Sequence, residues 1–429
     1  MIWIYRLLFP FFIVLASPYY LLRMRRRGGY GSDFSQRFGS YKGLPPRKPG
    51  VRRVWLQAVS VGEMLAVEPI LKALKSDGTE VVLTTTTSTG RKLAAEKLAA
   101  HVSAIAYFPI DWMPFSSAAW EAIRPDLAII TEGERWPEHM RQAAARKVPV
   151  LCINARLSDR SYQRMSVWPA ASRFLLSGIT RLLAGSEQDA ERFGALGFPK
   201  GRITVTGNIK LDVDIPRLDQ AARERLRAEL GLPRASLVLL GSSTWPGEEE
   251  ALLETLKTAR GRGTACSLLI VPRHAERRAE VERVVKASGF SYHLRSQGAA
   301  PAEVDVAVAD TTGELRALTQ LADLVFVGKS LVPHREGQTP VEAATLGKPI
   351  LLGPGMANFR AIEADLLHRG AARTVASPAE LATKASALLA DKADRDSIAA
   401  AGGAWRRDNG GGVERTLLAI RSELGRQAA

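Results

Sequence analysis

The chain is poor in the residues that build disulfide frameworks and metal clusters, with only two cysteines and six histidines among 429 residues. Cys152 and Cys266 both lie in apolar stretches, so we expect buried free thiols and no disulfide. The histidines do not follow the spacing of metal ligands, and the Asp212-Val213-Asp214 triplet lies in a polar connecting segment. The sequence therefore predicts no metal site.

Two common nucleotide-binding motifs are also missing. No Gly-x-Gly-x-x-Gly follows a predicted strand, which argues against a dinucleotide-dependent oxidoreductase. Gly347-Lys348 is followed by Pro349, and Glu342 stands where a Walker A loop requires its first glycine. We therefore expect a protein that works without a cofactor.

The residues that are abundant indicate a folded protein with an anionic partner. Hydrophobic residues make up 46% of the chain and charged residues 24%, which is typical of globular proteins, and the length favours two domains. A formal net charge of +15 indicates a phosphorylated ligand, an acidic lipid or a nucleic acid. Because no basic strand carries interleaved aromatic residues, we expect no nucleic acid.

The N-terminal segment has the composition of a membrane anchor. Between residues 2 and 22 the only charged side chain is Arg6, and a basic cluster follows at residues 23–27. The apolar length just suffices to cross a bilayer, although Pro10 and Pro18 weaken a straight helix. Because the charges follow the apolar run, the pattern differs from a cleavable signal peptide and predicts that the rest of the chain stays in the cytoplasm. We predict an uncleaved anchor over residues 1–27, with a helix lying in the membrane interface as the alternative.

Two series of alternating strands and helices follow a connector over residues 28–50. Their nearly continuous apolar runs predict parallel strands covered on both faces. The first series occupies residues 51–210, with strands predicted at 54–60, 80–87, 103–109, 126–132, 149–155, 181–186 and 202–207. A linker over residues 211–235 contains a helical stretch near 220–230, and the second series predicts strands at 237–242, 266–272, 305–309, 324–327 and 349–352. The fold class is therefore α/β, with two doubly wound domains at 51–210 and 236–429 whose polar rims face a cleft, and the last helix is a candidate to pack back on the first domain.

Polar side chains follow the predicted strands, where open α/β sheets bind ligands. After the first strand comes Ser60-Val61-Gly62-Glu63, in which Ser60 suits a helix N-cap and Gly62 lets backbone N–H groups approach a ligand. A carboxylate in the first helical turn is favoured as the anion and can serve as a general base. The alternative for Glu63 is that it only complements the helix dipole.

Further short motifs with polar residues occur in order along nearly the whole chain. Together with the first they are Ser60-Val61-Gly62-Glu63, Glu132-Gly133-Glu134-Arg135-Trp136-Pro137, Asn154-Ala155-Arg156-Leu157-Ser158-Asp159-Arg160-Ser161, Thr206-Gly207-Asn208-Ile209-Lys210, Gly241-Ser242-Ser243-Thr244, Pro272-Arg273-His274, Asp310-Thr311-Thr312-Gly313-Glu314-Leu315, Pro340-Val341-Glu342-Ala343-Ala344 and Gly353-Pro354. Their order and spacing resemble the bacterial 3-deoxy-D-manno-octulosonic acid (Kdo) transferases of lipopolysaccharide assembly.

The resemblance implies an inverting glycosyltransferase of the GT-B type, with two Rossmann-like domains. It implies transfer of Kdo from CMP-Kdo to the lipid A precursor (lipid IVA) at the cytoplasmic face of the inner membrane, where the N-terminal anchor and the basic surface hold the enzyme. The residues that it implies for substrate binding are Ser60, Gly62, Arg156, Ser242, Ser243, Pro272, Arg273, Thr312, Gly313, Glu314, Thr339 and Glu342.

The resemblance also implies three catalytic roles. Glu63 is the general base, Glu132 supports the transition state, and Lys210 stabilises the charge that grows on the leaving phosphate. The competing interpretations are a helix cap for Glu132 and an exposed linker lysine for Lys210. Capping is likewise the alternative for the residues of the second domain.

The chain departs from the family's usual motifs at several positions. Where the family commonly has Glu-Thr-Glu-Leu-Trp-Pro-Asn, this chain has Gly133, Arg135 and Glu138, and Gln338 and Thr339 replace a usual His-Asn. These differences leave the donor sugar and the acceptor open. The alternatives are another membrane-associated GT-B enzyme that uses a different nucleotide sugar, and a catalytically silent nucleotide-binding membrane protein.

Overall fold

The structure, a computed structural model, describes residues 1–26, 31–212 and 215–426. The chain forms two compact units. The first unit combines residues 1–212 with 409–429, and the second contains residues 213–408. The C-terminal end of the chain therefore belongs to the first unit.

The first unit is built on a sheet of seven parallel strands in the order β3-β2-β1-β4-β5-β6-β7. Each of the seven strands predicted between residues 51 and 210 is present. The strands are β1 (Arg53–Gln57), β2 (Glu80–Thr85), β3 (Ala104–Tyr107), β4 (Leu127–Thr131), β5 (Val150–Ala155), β6 (Arg181–Ala184) and β7 (Ile203–Val205). In the middle of the sheet Leu56 pairs with Leu83 of β2 and Ile129 of β4. This register aligns the carboxyl ends of β1 and β4.

The second unit contains another seven-stranded parallel sheet, in the order β10-β11-β9-β8-β12-β13-β14. Its strands are β8 (Leu237–Thr244), β9 (Cys266–Pro272), β10 (Tyr292–Leu294), β11 (Val306–Val308), β12 (Leu324–Val327), β13 (Ile350–Leu352) and β14 (Ala372–Thr374). The sequence predicted the five inner strands but missed β10 and β14. These two edge strands have three residues each, and β14 exposes Arg373 and Thr374, so neither has a continuous apolar run.

Helices connect the strands and cover both sheets. In chain order they are α1 (Ile2–Arg26), α2 (Val61–Ser76), α3 (Ser88–Lys97), α4 (Met113–Ile123), α5 (Pro137–Ala145), α6 (Asp159–Val167), α7 (Pro169–Leu176), α8 (Glu187–Ala195), α9 (Gln220–Glu229), α10 (Glu248–Gly261), α11 (Arg278–Ala287), α12 (Leu315–Leu318), α13 (Val341–Thr345), α14 (Arg360–His368), α15 (Pro378–Ala390), α16 (Lys392–Asn409) and α17 (Gly412–Arg426). Several begin at a serine, threonine or aspartate whose side chain accepts a backbone N–H of the first turn. These caps are Ser60, Thr87, Ser158, Ser186, Asp219 and Ser377.

Two hydrophobic clusters cover the two faces of the first sheet. Successive strand residues point to opposite faces, so Trp55 enters one cluster while Val54 and Leu56 enter the other. Helix α17 adds Leu417 and Ile420 to the second cluster, against residues of α2. Each fully buried aliphatic side chain of this kind contributes about 1.5–3 kcal/mol. Cys152 and Cys266 are free buried thiols, as the sequence predicted.

Helix α1 lies against the first unit through its first two turns. The Tyr5 hydroxyl donates to Asp111 Oδ2 at 2.8 Å, and Arg6 donates from Nε and Nη2 to the two carboxylate oxygens of Glu138, each at 2.8 Å. Several large apolar side chains of α1 are exposed, including Leu7 and Phe11. Among the described residues, none of the helices combines the length and the apolar character needed to cross a bilayer.

Candidate active site

The first sheet reverses its strand order between β1 and β4, which lie side by side. From β1 the chain adds β2 and β3 on one side of the sheet, and from β4 it adds β5, β6 and β7 on the other side. Such a switch point opens a crevice at the carboxyl ends of the strands, where doubly wound sheets bind ligands. Glu63 follows β1, Glu132 follows β4 and Arg156 follows β5, so the topology places the predicted residues at this edge.

Glu63 is the third residue of α2 and completes a capping box with Ser60. Its carboxylate accepts from Val59 N at 3.0 Å, Ser60 N at 3.3 Å and Ser60 Oγ at 2.7 Å, and also from Thr131 Oγ1. The side chain is therefore tied to β1, α2 and the end of β4, and the residue is only 8% exposed. These contacts fulfil the capping interpretation and hold a carboxylate at the switch point.

Glu132 and Lys210 form an ion pair at the same edge of the sheet. Asn154 at the end of β5 links the two segments, because its Nδ2 donates to Glu132 Oε1 at 3.4 Å and its Oδ1 accepts from Ile209 N at 3.1 Å. Glu132 and Asn154 adopt left-handed φ values of 55° and 50°. Such strained backbone is concentrated at functional sites.

Gly62 lies next to the lysine. A Cβ placed on Gly62 would lie 3.9 Å from both Cε and Nζ of Lys210, which is an ordinary contact distance. The structure thus brings Gly62, Glu63, Glu132 and Lys210 together around the end of β1. The Lys210 side chain is 30% exposed and ion-paired, whereas the alternative interpretation is an exposed linker lysine.

The motif contains a further carboxylate that the sequence analysis did not select. Burial, and after it the nearby charge of Glu63, raises the pKa of Glu134 to about 7. A carboxyl group with a pKa near neutrality is typical of a functional site. In the sequence, only its place in the Glu132-Gly133-Glu134 motif pointed to Glu134. Its burial and its proximity to Glu63 arise from the fold and could not be predicted from the motif.

Arg156 is exposed just beyond β5. A Cβ at Gly185 would meet its Cγ at 3.1 Å, so the glycine leaves room for the arginine stem to cross the end of β6. No carboxylate among the described residues forms an ion pair with this guanidinium. Arg156 therefore offers a cation on the same rim as Glu132.

The second sheet has its own switch point between β8 and β12, where more of the predicted residues lie. Ser242 and Ser243 lie just before the last residue of β8 and are buried, and Ser243 adopts a φ of 58°. Pro272 ends β9, and the exposed Arg273 follows it, donating its backbone N–H to Thr244 O at 3.2 Å. Its guanidinium has no ion-pair partner within the described part of the chain. This arrangement leaves Arg273 able to bind an anion.

The remaining residues predicted in the second unit differ in whether their side-chain oxygens already have hydrogen-bond partners. Glu314 accepts from Arg295 Nη2 at 3.3 Å and from Thr311 Oγ1, so its carboxylate is occupied. Thr312 and Gly313 are exposed before it, and Thr339 Oγ1 accepts from Val341 N at 3.2 Å. By contrast, Glu342 Oε2 is buried and has no hydrogen-bond partner among the described residues. Glu342 is therefore the member of this set best suited to bind ligand hydroxyl groups.

Lys329 is a cation at the second switch point that the sequence analysis missed. It follows β12 with a φ of 57°, and its ammonium lies 4.2 Å from the centroid of the Trp245 ring. The buried Glu248 carboxylate accepts the backbone N–H groups of Lys329 and Ser330, each at 2.8 Å, which fixes this turn. No sequence motif marked Lys329, because its position depends on the pairing of β8 with β12.

The described residues contain no group of three or more histidine, cysteine, aspartate or glutamate side chains placed to hold a metal ion. Val213 and Asp214 of the Asp-x-Asp triplet lie outside the described residues. Asp212 accepts the backbone N–H of Val413 at 2.8 Å. Its contact is therefore with the start of α17.

Solved structures with a similar fold include sugar-nucleotide enzymes. The chain superposes on a UDP-GlcNAc 2-epimerase from Neisseria meningitidis with a TM-score of 0.57 and 17% identity, over 87% of this chain and 100% of that one. It superposes on a glycosyltransferase from Rickettsia africae with a TM-score of 0.54 and 11% identity, over 87% and 99% of the two chains. At these identities the likeness shows the fold alone, which is that of GT-B glycosyltransferases.

Sequence comparisons are more specific. A family model described as 3-deoxy-D-manno-octulosonic-acid transferase (kdotransferase) matches residues 32–213. The chain is 31% identical to the 3-deoxy-D-manno-octulosonic acid transferase of Bordetella pertussis over 413 residues, 94% of this chain and 95% of that protein. It is 30% identical to the transferase of the same name from Haemophilus influenzae over 416 residues, 96% and 94% of the two chains. The protein therefore belongs to the Kdo transferase family of glycosyltransferases.

Proposed function

We propose that this enzyme transfers Kdo from CMP-Kdo to the lipid A precursor, lipid IVA, with inversion at the anomeric carbon and with Glu63 as the general base. The observation that supports it best is the grouping of Glu63, Glu132 and Lys210 at one switch point in a chain of the Kdo transferase family. A carboxylate base and a cation are the two groups that such a displacement needs.

In the proposed reaction an acceptor hydroxyl attacks the anomeric carbon of Kdo and transfers its proton to Glu63. The carboxylate already accepts four hydrogen bonds, which is about its full capacity. Two of the four donors, Ser60 Oγ and Thr131 Oγ1, are hydroxyls that can rotate away, whereas the two backbone donors cannot. Thr131 is buried and Ser60 is exposed, so the acceptor hydroxyl takes the place of Ser60 Oγ.

The bond from the anomeric carbon to the phosphate of CMP breaks in the same step, and negative charge grows on that phosphate. Lys210 supplies the compensating positive charge, and Glu132 holds the ammonium in place. In the second unit Arg273 binds the nucleotide phosphate, and Glu342 accepts hydrogen bonds from the ribose hydroxyls.

Attachment to the cytoplasmic face of the inner membrane is part of the same proposal. The exposed apolar side chains of α1, together with the basic net charge of +15, support binding to an anionic lipid surface. Because a lipid acceptor resides in that surface, attachment raises its local concentration at the enzyme.

The test is to incubate the full-length protein in detergent with CMP-Kdo and tetraacylated lipid A precursor, and to analyse the lipid by mass spectrometry. We expect the acceptor mass to increase by one or more Kdo residues, with release of CMP. Turnover of a UDP-sugar in place of CMP-Kdo would instead support the alternative of a GT-B enzyme with a different donor.

A further inference from the structure

A pocket of about 320 Å³ lies beside the active-site loop of the first unit. Helices α6 and α7 and the loop after β4 form its walls. The lining residues that matter here are Arg135, Ser161, Arg164, Met165, Trp168 and Leu175. The pocket therefore combines two guanidinium groups and a hydroxyl with an apolar wall.

One nitrogen of the Arg135 guanidinium, Nε, is buried without a hydrogen-bond partner in the described part of the chain. A buried cationic donor without an acceptor is costly, so native structures normally supply a partner. In this pocket an anionic ligand would meet that need.

Arg164 and Ser161 add to the capacity for an anion. Arg164 is exposed and forms no ion pair with any described residue. The acidic residue on the same helix, Asp159, is already paired with Arg192. The Ser161 hydroxyl accepts from Ser158 Oγ at 3.0 Å, which leaves its own proton for a ligand. Paired guanidinium groups with a nearby hydroxyl are typical of phosphate recognition.

The apolar wall indicates what carries the phosphate. Trp168, which joins α6 to α7, is 72% exposed, and the neighbouring Val167 is 70% exposed. Met165 and Leu175 continue the apolar surface inside the pocket. A free anion gains nothing from such a wall, whereas an amphiphile places its chain there and its phosphate on the arginines.

Gly133 lies beside the Arg135 guanidinium. A Cβ at Gly133 would lie 3.6 Å from Arg135 Nη2, which is an ordinary contact distance. Without a side chain, Gly133 leaves this flank of the guanidinium open.

From these observations we infer that the pocket is a subsite for a phosphate group of the lipid acceptor, with Arg135 and Arg164 on the phosphate and Trp168 on an acyl chain. This inference rests on the proposed function, because it assigns a position to the acceptor of that reaction. Arg135 lies in the same loop as Glu132 and Glu134, so a phosphate held there keeps the acceptor sugar at the edge of the sheet that carries Glu63.

Direct binding tests the subsite without turnover. The probes are detergent-dispersed tetraacylated glucosamine disaccharide with its phosphates, the same lipid without phosphates, and inorganic phosphate. We expect Arg135→Leu and Arg164→Gln each to weaken binding of the phosphorylated lipid about tenfold and to leave the dephosphorylated lipid unchanged. Arg173→Gln is the matched control, because Arg173 lies on α7 but packs toward Gly197. Its binding should equal that of the wild type.

Two results would overturn the subsite. One is equal weakening of both lipids by Arg135→Leu. The other is binding of inorganic phosphate as tight as that of the phosphorylated lipid, which would remove the role of the apolar wall. Trp168→Ala should weaken both lipids by a similar factor, and an unchanged affinity would contradict the acyl-chain contact.

Kinetics separate this inference from the proposed function. If the wild type transfers Kdo, Arg135→Leu should raise KM for the phosphorylated acceptor about tenfold with little change in kcat. Unchanged kinetics in that variant would overturn the subsite and leave Kdo transfer intact. If the wild type transfers no Kdo but binding depends on the two arginines as described, the proposed function fails and the phosphate subsite stands.

Discussion

At the scale of single residues, Glu63 has a structural role in the fold and is placed where the proposed chemistry needs a base. Its carboxylate closes the capping box of α2 and also contacts Thr131 at the end of β4. The capping bonds orient the group, and the strand order places it at the switch point. A structural role and a catalytic role are therefore compatible at this position.

This dual role makes Glu63→Gln an informative variant. Glutamine is accepted at the third position of a capping box, so the helix start should persist while the base is lost. We expect Kdo transfer to fall by about 10²–10⁴-fold, with CMP binding and the thermal unfolding midpoint close to wild type. A well-folded variant with near-native turnover would remove Glu63 from the mechanism.

Glu134 predicts a pH dependence of stability. Burial, with the charge of Glu63 added, raises its pKa from 4.5 to about 7 in the folded protein. Between these two values the folded chain binds more protons than the unfolded chain, so stability falls as pH rises through that window. The wild type should lose free energy of unfolding between pH 5 and pH 8. Over the same range Glu134→Gln should lose about 1–3 kcal/mol less.

The measurement for Glu134 is denaturant unfolding at several pH values. Glu121→Gln is the control, because Glu121 forms an exposed pair with Arg124 and should keep the wild-type slope. A Glu134→Gln protein with the wild-type pH slope would show that this carboxyl does not titrate in the window.

At the scale of elements, helix α1 is joined to α5 by buried polar contacts. Glu138 is fully buried, and its carboxylate accepts hydrogen bonds from two guanidinium nitrogens of Arg6. The Asp111 carboxylate accepts hydrogen bonds from the Tyr5 hydroxyl and from the first backbone N–H groups of α5. Because α5 begins directly after the loop that carries Glu132 and Glu134, these contacts connect the N-terminal helix to that loop of the candidate active site.

Removing one partner of this pair should cost stability. Arg6→Met leaves the Glu138 carboxylate without its cation, and we expect a loss of about 3–5 kcal/mol in the free energy of unfolding. Arg6→Met with Glu138→Gln should recover most of that loss, since a neutral amide tolerates burial better than an unpaired charge. Denaturant unfolding of the wild type, of Arg6→Met, of Glu138→Gln and of the double variant gives the coupling energy.

A surface pair provides the comparison for this cycle. Lys72→Met breaks the exposed pair with Glu68 on α2 and should change stability by less than about 0.5 kcal/mol. If Arg6→Met destabilises no more than Lys72→Met does, α1 is not held by its ion pair.

At the scale of the whole molecule, the exposed face of α1 predicts how the enzyme reaches a lipid acceptor. Leu7 and Phe11 are 67% and 69% exposed. Their joint replacement by serine removes about 3 kcal/mol or more of apolar burial in a lipid surface. We expect the variant to lose flotation with anionic vesicles while keeping the wild-type unfolding midpoint and transfer to detergent-dispersed acceptor.

Leu418→Ser is the control for the flotation experiment, because Leu418 is an exposed apolar residue on α17. It should float like the wild type. Flotation of the Leu7 and Phe11 variant at wild-type levels would assign membrane attachment to another surface.

The sequence by itself determined most elements and the family. The inner strands are buried on both faces, so each reads as a continuous apolar run, and all seven strands of the first sheet were predicted. The edge strands β10 and β14 were missed because short, partly exposed strands lack that pattern. Motifs around Glu63, Glu132 and Lys210 also predicted three residues that the structure places at one edge of the first sheet.

Only the tertiary structure decided which of these residues lie in contact and how burial changes their protonation. The Glu132–Lys210 pair, the pKa of Glu134 and the position of Lys329 depend on strand order and burial. Likewise Arg6 reaches Glu138, and α17 packs in the first unit, through contacts between distant parts of the chain. The physical reason is that a local pattern specifies a helix or a strand and its apolar face, whereas the partner of that face is selected by packing across the whole chain.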